Sequence, residues 1–313
     1  MKHDLKIVLI LILFFVLAQL VGLALINIDI QEVKVVEGVP VVVHEDTSLG
    51  PRPEVTEVGA FMYIAIGLLI GTILVLLIIR MRKVNLWKIW FFLAVFIAIS
   101  LALGVIFSNY IALGLALALA ILKVAKPNIF IHNITELLMY AGIAVFLVPL
   151  LNIMWAAILL IAISIYDFIA VFKSKHMVKM AKFQTKSKVF AGLFIPYTPK
   201  TQSIGSEARK IAEPSKSLKK MSRTIKKVQR KNAILGGGDI AFPLIFTGVV
   251  MESFVLQGFS KTFALYQSLI ITLTTTIALA LLFILAKKDK FYPAMPFISA
   301  GCFFGYALVV LLF

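Results

Sequence analysis

Nine long apolar runs divide this chain: residues 5–26, 58–79, 86–107, 110–122, 134–151, 153–172, 233–256, 263–286 and 293–313. A helix needs about 20 apolar residues to cross the hydrocarbon core of a bilayer. Eight runs meet or approach that length, and the fourth, at 13 residues, is counted as spanning because of the charge pattern below. Apolar residues are 61% of the chain and charged residues 15%, against about 45–50% and about 25% in soluble domains. The surplus apolar surface must face lipid. The reading is an all-α membrane protein with nine transmembrane helices, which excludes a secreted globular enzyme, a disordered regulator and a soluble nucleic-acid binder. The first run, 22 residues long with no clear cleavage site after it, reads as a retained helix and not a signal peptide.

The formal charge of +16 is a topology signal and not a nucleic-acid signature. With the N-terminus in the cytoplasm, 28 of the 31 Lys and Arg fall in segments between or beside spans on the cytoplasmic side. These include Lys123 and Lys126 after the fourth run and seventeen residues from Lys173 to Lys231. Only Lys34, Arg52 and Lys261 fall outside. Positive loops face the cytoplasm, and removing the fourth span would invert every later loop. Nine crossings place the C-terminus outside. The expected location is a cell membrane, crossed many times.

The chain divides into an N-terminal membrane half (1–172), a basic loop (173–232) and a C-terminal membrane half (233–313). The first long loop, 27–57, is acidic, and its Val-rich stretch 32–43 around Glu37-Gly38 predicts a hairpin. The basic loop, with Pro196, Pro199 and Pro214 and many Ser and Thr, reads as largely mobile, with a short interfacial helix over 171–183. The sequon Asn133-Ile134-Thr135 falls on the cytoplasmic side and carries no weight. The single Cys302 permits no intrachain disulfide, and four scattered His predict no metal. No cofactor is expected.

Two acids lie well inside spans: Asp167 in the sixth run and Asp239 in the seventh. An ionisable group at such depth reads as functional. Asp167 is six residues before Lys173, roughly 9 Å into the bilayer, and Asp239 eight residues after Lys231, roughly 12 Å if helical. Consecutive antiparallel helices then bring both carboxylates to one level. Such a pair shares a proton, and can act as the acid and base of peptide hydrolysis or as a proton relay in a transporter. Gly236-Gly237-Gly238 before Asp239 make poor helix and leave backbone groups that need protein or a water-filled cavity beside them. Tyr166, one position before Asp167, offers a hydroxyl to a substrate or to the carboxylate. Pro293-Ala294-Met295-Pro296 opens the ninth run at the same membrane level, with an extended stretch before it.

Tyr166-Asp167, Gly236-Gly237-Gly238-Asp239 and Pro293-Ala294-Met295 stand in the order and spans of the motifs that mark the presenilin and signal peptide peptidase intramembrane aspartyl proteases. Met295 stands where the family carries Leu, a swap that keeps size and apolarity. The resemblance covers the whole chain. Phe168-Ile169-Ala170-Val171 and Phe297-Ile298-Ser299 after the motifs, and the orientation, are most similar to an archaeal presenilin homologue, a resemblance that implies a prokaryotic cell membrane. It implies an aspartic endopeptidase that cuts inside the transmembrane helices of membrane-protein substrates. Asp167 and Asp239 would be its catalytic pair, and the Pro-Ala-Met segment would shape the site. Its partners are then substrate helices and the lipid bilayer, with no nucleic acid; accessory subunits are left open. Prepilin-type peptidases share Gly-x-Gly-Asp but carry Lys where this chain has Ala241, and they lack the proline element. A proton-coupled transporter is the alternative from another class; the two-fold repeat common in transporters is not visible here.

A transmembrane helix hides its peptide bonds in its own hydrogen bonds. A substrate must therefore unwind and find backbone partners within the membrane. The expected partner is an open edge at residues 233–238 or just before Pro293, on which the substrate pairs as an added strand.

Overall fold

The structure is a computed structural model that describes residues 5–36, 38–53, 55–81, 83–126, 128–173, 183, 190–197, 231–286 and 292–312. Most of the expected interfacial helix, the bulk of the basic loop and the lysines before Pro293 lie outside the described residues.

Among the described residues, nine apolar helices follow in chain order: α1 (Leu5–Asp29), α2 (Glu57–Met81), α3 (Val84–Gly104), α4 (Asn109–Ala125), α5 (Ile129–Leu147), α6 (Ile153–Phe172), α7 (Gly238–Leu256), α8 (Lys261–Leu285) and α9 (Met295–Leu312). Among the described residues, eight are long and apolar enough to cross a membrane, and α4, with 17 residues, is shorter. Asn128, Asn152 and Ser260 cap α5, α6 and α8 by accepting backbone N–H bonds with their side chains.

The bundle is built around α7. It packs against α1, α5, α6, α8 and α9, and most of it is buried. Leu244, Ile245, Phe246, Val250 and Met251 fill the centre with Phe15 and Leu23 of α1. Gln19 of α1, itself buried, donates to the Ile240 carbonyl at 3.0 Å. α2 is the opposite case. Little of it is buried, and its neighbours are α3 and α6. A helix apolar all round with so little protein against it is one whose surroundings are lipid. α8 and α9 approach closely at Gly301 and Gly305. A Cβ there would come within 2.9 Å of Thr275 Cα and 2.8 Å of Ile271 Cα, the small-residue seam expected between membrane helices.

Among the described residues, two antiparallel hairpins interrupt the helical pattern. β1 (Ile30–Val36) pairs with β2 (Val39–His44), with Gly38 in the turn at φ +83°. β3 (Gly192–Tyr197) pairs with β4 (Lys231–Gly236) in the register Gly192 to Gly236, Phe194 to Ile234 and Tyr197 to Lys231. The second hairpin departs from the purely helical reading. Residues 233–236 were expected to open the seventh helix and form a strand instead, and α7 starts at Gly238. The helical rise used to place Asp239 therefore does not apply to the residues before it.

Candidate active site

Asp167 lies on α6 with its side chain buried, six residues before the Lys173 cap. Its Oδ2 accepts the Met295 N–H at 3.2 Å, and the Ala294 N–H also bonds the carboxylate. The prolines account for this pattern. Pro293 and Pro296 have no N–H, so the two residues between them supply the donors at the start of α9, where free N–H groups are expected. Asp167 thus caps α9 across the bundle, and a second tie, Ser164 Oγ to Ser299 Oγ at 2.8 Å, joins the same two helices.

Asp239 stands in the first turn of α7, half-buried, within electrostatic reach of Asp167. Its carboxylate accepts the Gly236 N–H. Pro243, four residues on, lacks the N–H that would bond the Asp239 carbonyl in a regular helix. The three glycines differ. A Cβ on Gly236 would sit 3.1 Å from Asp239 Oδ2. On Gly237 it would meet Cε1 and the hydroxyl of Tyr140, both at 2.9 Å. Gly238 is exposed, and a Cβ there would only touch Phe242 at 3.4 Å.

The structure therefore gathers Asp167, Asp239, Gly236, Ala294 and Met295, with Pro293 buried and Pro296 half-buried at the start of α9. Tyr166 is placed differently. Its ring is exposed, and its hydroxyl lies 3.2 Å from Thr72 Oγ1 of α2.

Sequence reasoning missed the support of the β3–β4 hairpin. The Asn133 side chain accepts the Phe194 N–H at 3.0 Å and donates to the Phe194 carbonyl at 3.1 Å. Glu136 accepts the Gly192 N–H at 3.0 Å, and His132 Nε2 donates to the Gly192 carbonyl at 2.8 Å. Side chains of α5 thus take the place of a third strand along one edge of β3. In an antiparallel pair the outward-facing groups alternate along each strand. With Gly192 and Phe194 facing α5, their partners Gly236 and Ile234 face the opposite edge, beyond β4. The Gly236 N–H on that edge holds Asp239; among the described residues the Ile234 N–H and carbonyl have no partner. Glu136 and Asn133 were detectable as polar residues within a 22-residue apolar segment. With that helix expected to start at residue 134, Asn133 fell outside the run and Glu136 near its end.

The family described as signal-peptide peptidase, presenilin aspartyl protease matches this chain over residues 8–313. The fold is similar to two structures of a presenilin family intramembrane aspartate protease. The one in space group C222 has a TM-score of 0.60 and 17% identity, over 99% of this chain and 100% of that chain. The one in space group P2 has a TM-score of 0.55 and 16% identity, over 97% of each. No curated protein sequence matches. The chain is an integral membrane protein and belongs to the signal-peptide peptidase and presenilin family of intramembrane aspartyl proteases.

Proposed function

We propose that this protein hydrolyses peptide bonds within transmembrane segments of membrane-protein substrates, using Asp167, Asp239 and a water molecule. The observation that supports the reading is that two carboxylates on adjacent helices lie within electrostatic reach of each other, each already given backbone N–H bonds by a segment poor in regular helix. The ionised member takes a proton from water as the hydroxide attacks the scissile carbonyl. The protonated member donates to the carbonyl oxygen, giving a tetrahedral diol. The diol collapses, the C–N bond breaks, and the departing nitrogen takes a proton from the pair. Neither carboxylate forms a covalent bond, and no cofactor enters. Because one member must be charged and the other neutral, the rate falls towards both low and high pH.

The unwound substrate adds as a strand on the free edge of β4 beside Ile234. The other edge of the hairpin is occupied by α5. Gly238, without a side chain, leaves room where the added strand passes Asp239. All nine helices cross the bilayer, with the N-terminus and residues 173–232 in the cytoplasm and the C-terminus outside; reporter fusions at those places check this.

The deciding experiment uses the purified chain in lipid with a single-span substrate. Asp167→Asn and Asp239→Asn should each lower cleavage by about a thousandfold or more without changing the thermal unfolding midpoint of the protein by more than a few degrees. Cleavage by either variant near the native rate would refute the pair.

A further inference from the structure

Glu136 of α5 is a fully buried carboxylate that the hydrolysis above does not use. Three donors converge on it. Lys123 Nζ of α4 reaches Oε1 at 2.7 Å, the Gly192 N–H reaches Oε2 at 3.0 Å, and the Tyr140 hydroxyl bonds Oε2. His132 Nε2 lies 3.8 Å from Oε1. Lys123 is buried too, and also donates to Thr135 Oγ1 at 2.8 Å and to the His132 carbonyl at 3.3 Å. The sequence places Lys123 just after the fourth apolar run; it lies in the last turn of α4.

A buried ion pair is weak evidence of stabilisation, since desolvation offsets most of its Coulomb energy and apolar residues often serve as well. What the carboxylate holds is therefore the more telling question. One arm runs through Tyr140, whose ring and hydroxyl lie where a Gly237 side chain would be, two residues before Asp239. The hydroxyl is also within electrostatic reach of Asp239. The other arm runs through Gly192 to its strand partner Gly236, whose N–H holds the Asp239 carboxylate. Gly192 sits at φ +151°, and a Cβ there would lie 2.5 Å from the Leu235 carbonyl oxygen. That crowding leaves the hairpin little slack at this end.

We infer that Glu136 is a positioning residue for Asp239: it pins Tyr140 behind the glycine turn and Gly192 beside Gly236, so that the carboxylate is held in register with Asp167. This rests on the reading of Asp239 as catalytic. Lys123 serves as the counter-charge that lets a carboxylate stand there.

The test compares kcat, KM and unfolding midpoint for the purified chain in lipid with a single-span substrate. Glu136→Met with Lys123→Met removes both charges together and keeps the volume apolar. The double variant should unfold within a few degrees of the native protein yet have kcat lowered at least tenfold, with KM within twofold. Tyr140→Phe removes one oxygen atom and breaks one of the two tethers; it should give the same split, and adding it to the double variant should cost nothing further, because that variant has already lost the Tyr140 tether. Should the double variant not fold, the Tyr140→Phe split decides alone. A kcat within twofold of native in a folded double variant or in Tyr140→Phe would overturn the positioning role, as would losses that track the folded fraction. The Asp variants separate the two claims. If Asp239→Asn still cleaves, both fall. If the Asp variants are inactive while the Glu136 and Tyr140 variants keep native kcat, only the positioning role falls.

Discussion

The two hairpins share an architecture and differ in how they are held. A lone two-stranded ribbon is marginal in water, so each needs an anchor. β1–β2 is anchored at its base. His44 donates Nδ1–H to Asp29 at 2.8 Å and faces Glu252 of α7 at 3.3 Å, while Arg52 bonds both Asp29 oxygens at 2.8 and 3.0 Å. Beyond that clasp the strands stand in the open, with Val33, Val35 and Val41 exposed. β3–β4 is anchored along its length. Asn133, His132 and Glu136 cover one edge, and Leu193, Ala233 and Leu235 are buried. Anchoring at the base fixes where a ribbon sits. Covering one edge also fixes which edge is left open among the described residues, and here that is the edge where Asp239 stands.

The largest effects should come from the open edge. Ile234→Pro removes an outward N–H and fits an edge strand, so cleavage should drop at least a hundredfold while the protein stays folded. Ile234→Ala should stay within a few fold. Leu235→Pro removes an N–H that points at β3, and should cost stability as well as cleavage. Equal cleavage by the Pro and Ala variants at both positions would move the strand to the stretch before Pro293. Gly238→Leu should likewise abolish cleavage and leave the fold intact, since the structure has room for the side chain but a substrate strand would not. Next, Asn133→Ala leaves the Phe194 N–H and carbonyl without their partner. A destabilisation of about 1–3 kcal/mol and a roughly tenfold loss of kcat are expected, read by thermal unfolding and by cleavage.

The outer hairpin should respond in stability alone. Burial by itself would lower the His44 pKa; hydrogen bonds and charge from Asp29 and Glu252 outweigh it and raise the value from 6.5 to about 9. A group whose folded pKa is raised contributes fully below its unfolded pKa and loses that contribution as pH rises through the folded one. The clasp should therefore hold below about pH 6.5 and weaken between there and about pH 9. His44→Gln should lower stability by on the order of 1–3 kcal/mol at neutral pH, flatten this slope, and leave kcat within twofold. A slope unchanged in the variant would assign the titration elsewhere. The smallest effect should be at the turn: Gly38→Ala, forced to φ +83°, should cost about 1 kcal/mol and nothing in cleavage.

The same contrast explains what was legible in the sequence. The outer hairpin is local: Val alternation around Glu37-Gly38 is a complete signal, and the strands formed at residues 30–44. The inner hairpin pairs residues 192–197 with 231–236, too far apart for any local period to show. Pro196 made the first strand read as loop. Ala233, Ile234 and Leu235 run into the next apolar stretch and read as the start of a helix, because a short apolar run looks the same in either form. The motif residues were legible because depth and type made Asp167 and Asp239 anomalous one at a time. Lys123 and Glu136 are anomalous only as a pair. Taken singly, each passed for a charge at the end of a span.

Disulfide trapping tests the added strand most directly. Cys302 is the only cysteine and is buried, so Cys302→Ser gives a clean background. Ile234→Cys is added together with Asp239→Asn to prevent turnover, and single cysteines are walked through eight successive positions of a single-span substrate around its cut site. A strand on the β4 edge predicts crosslinks at every second position, as one face of an extended chain passes the same partner. The same walk against Phe194→Cys, on the strand whose edge α5 covers, should give weak crosslinks with no such alternation. Crosslinks to Ile234→Cys spaced three and four residues apart, the signature of an intact helix, or stronger trapping at Phe194→Cys, would contradict the account.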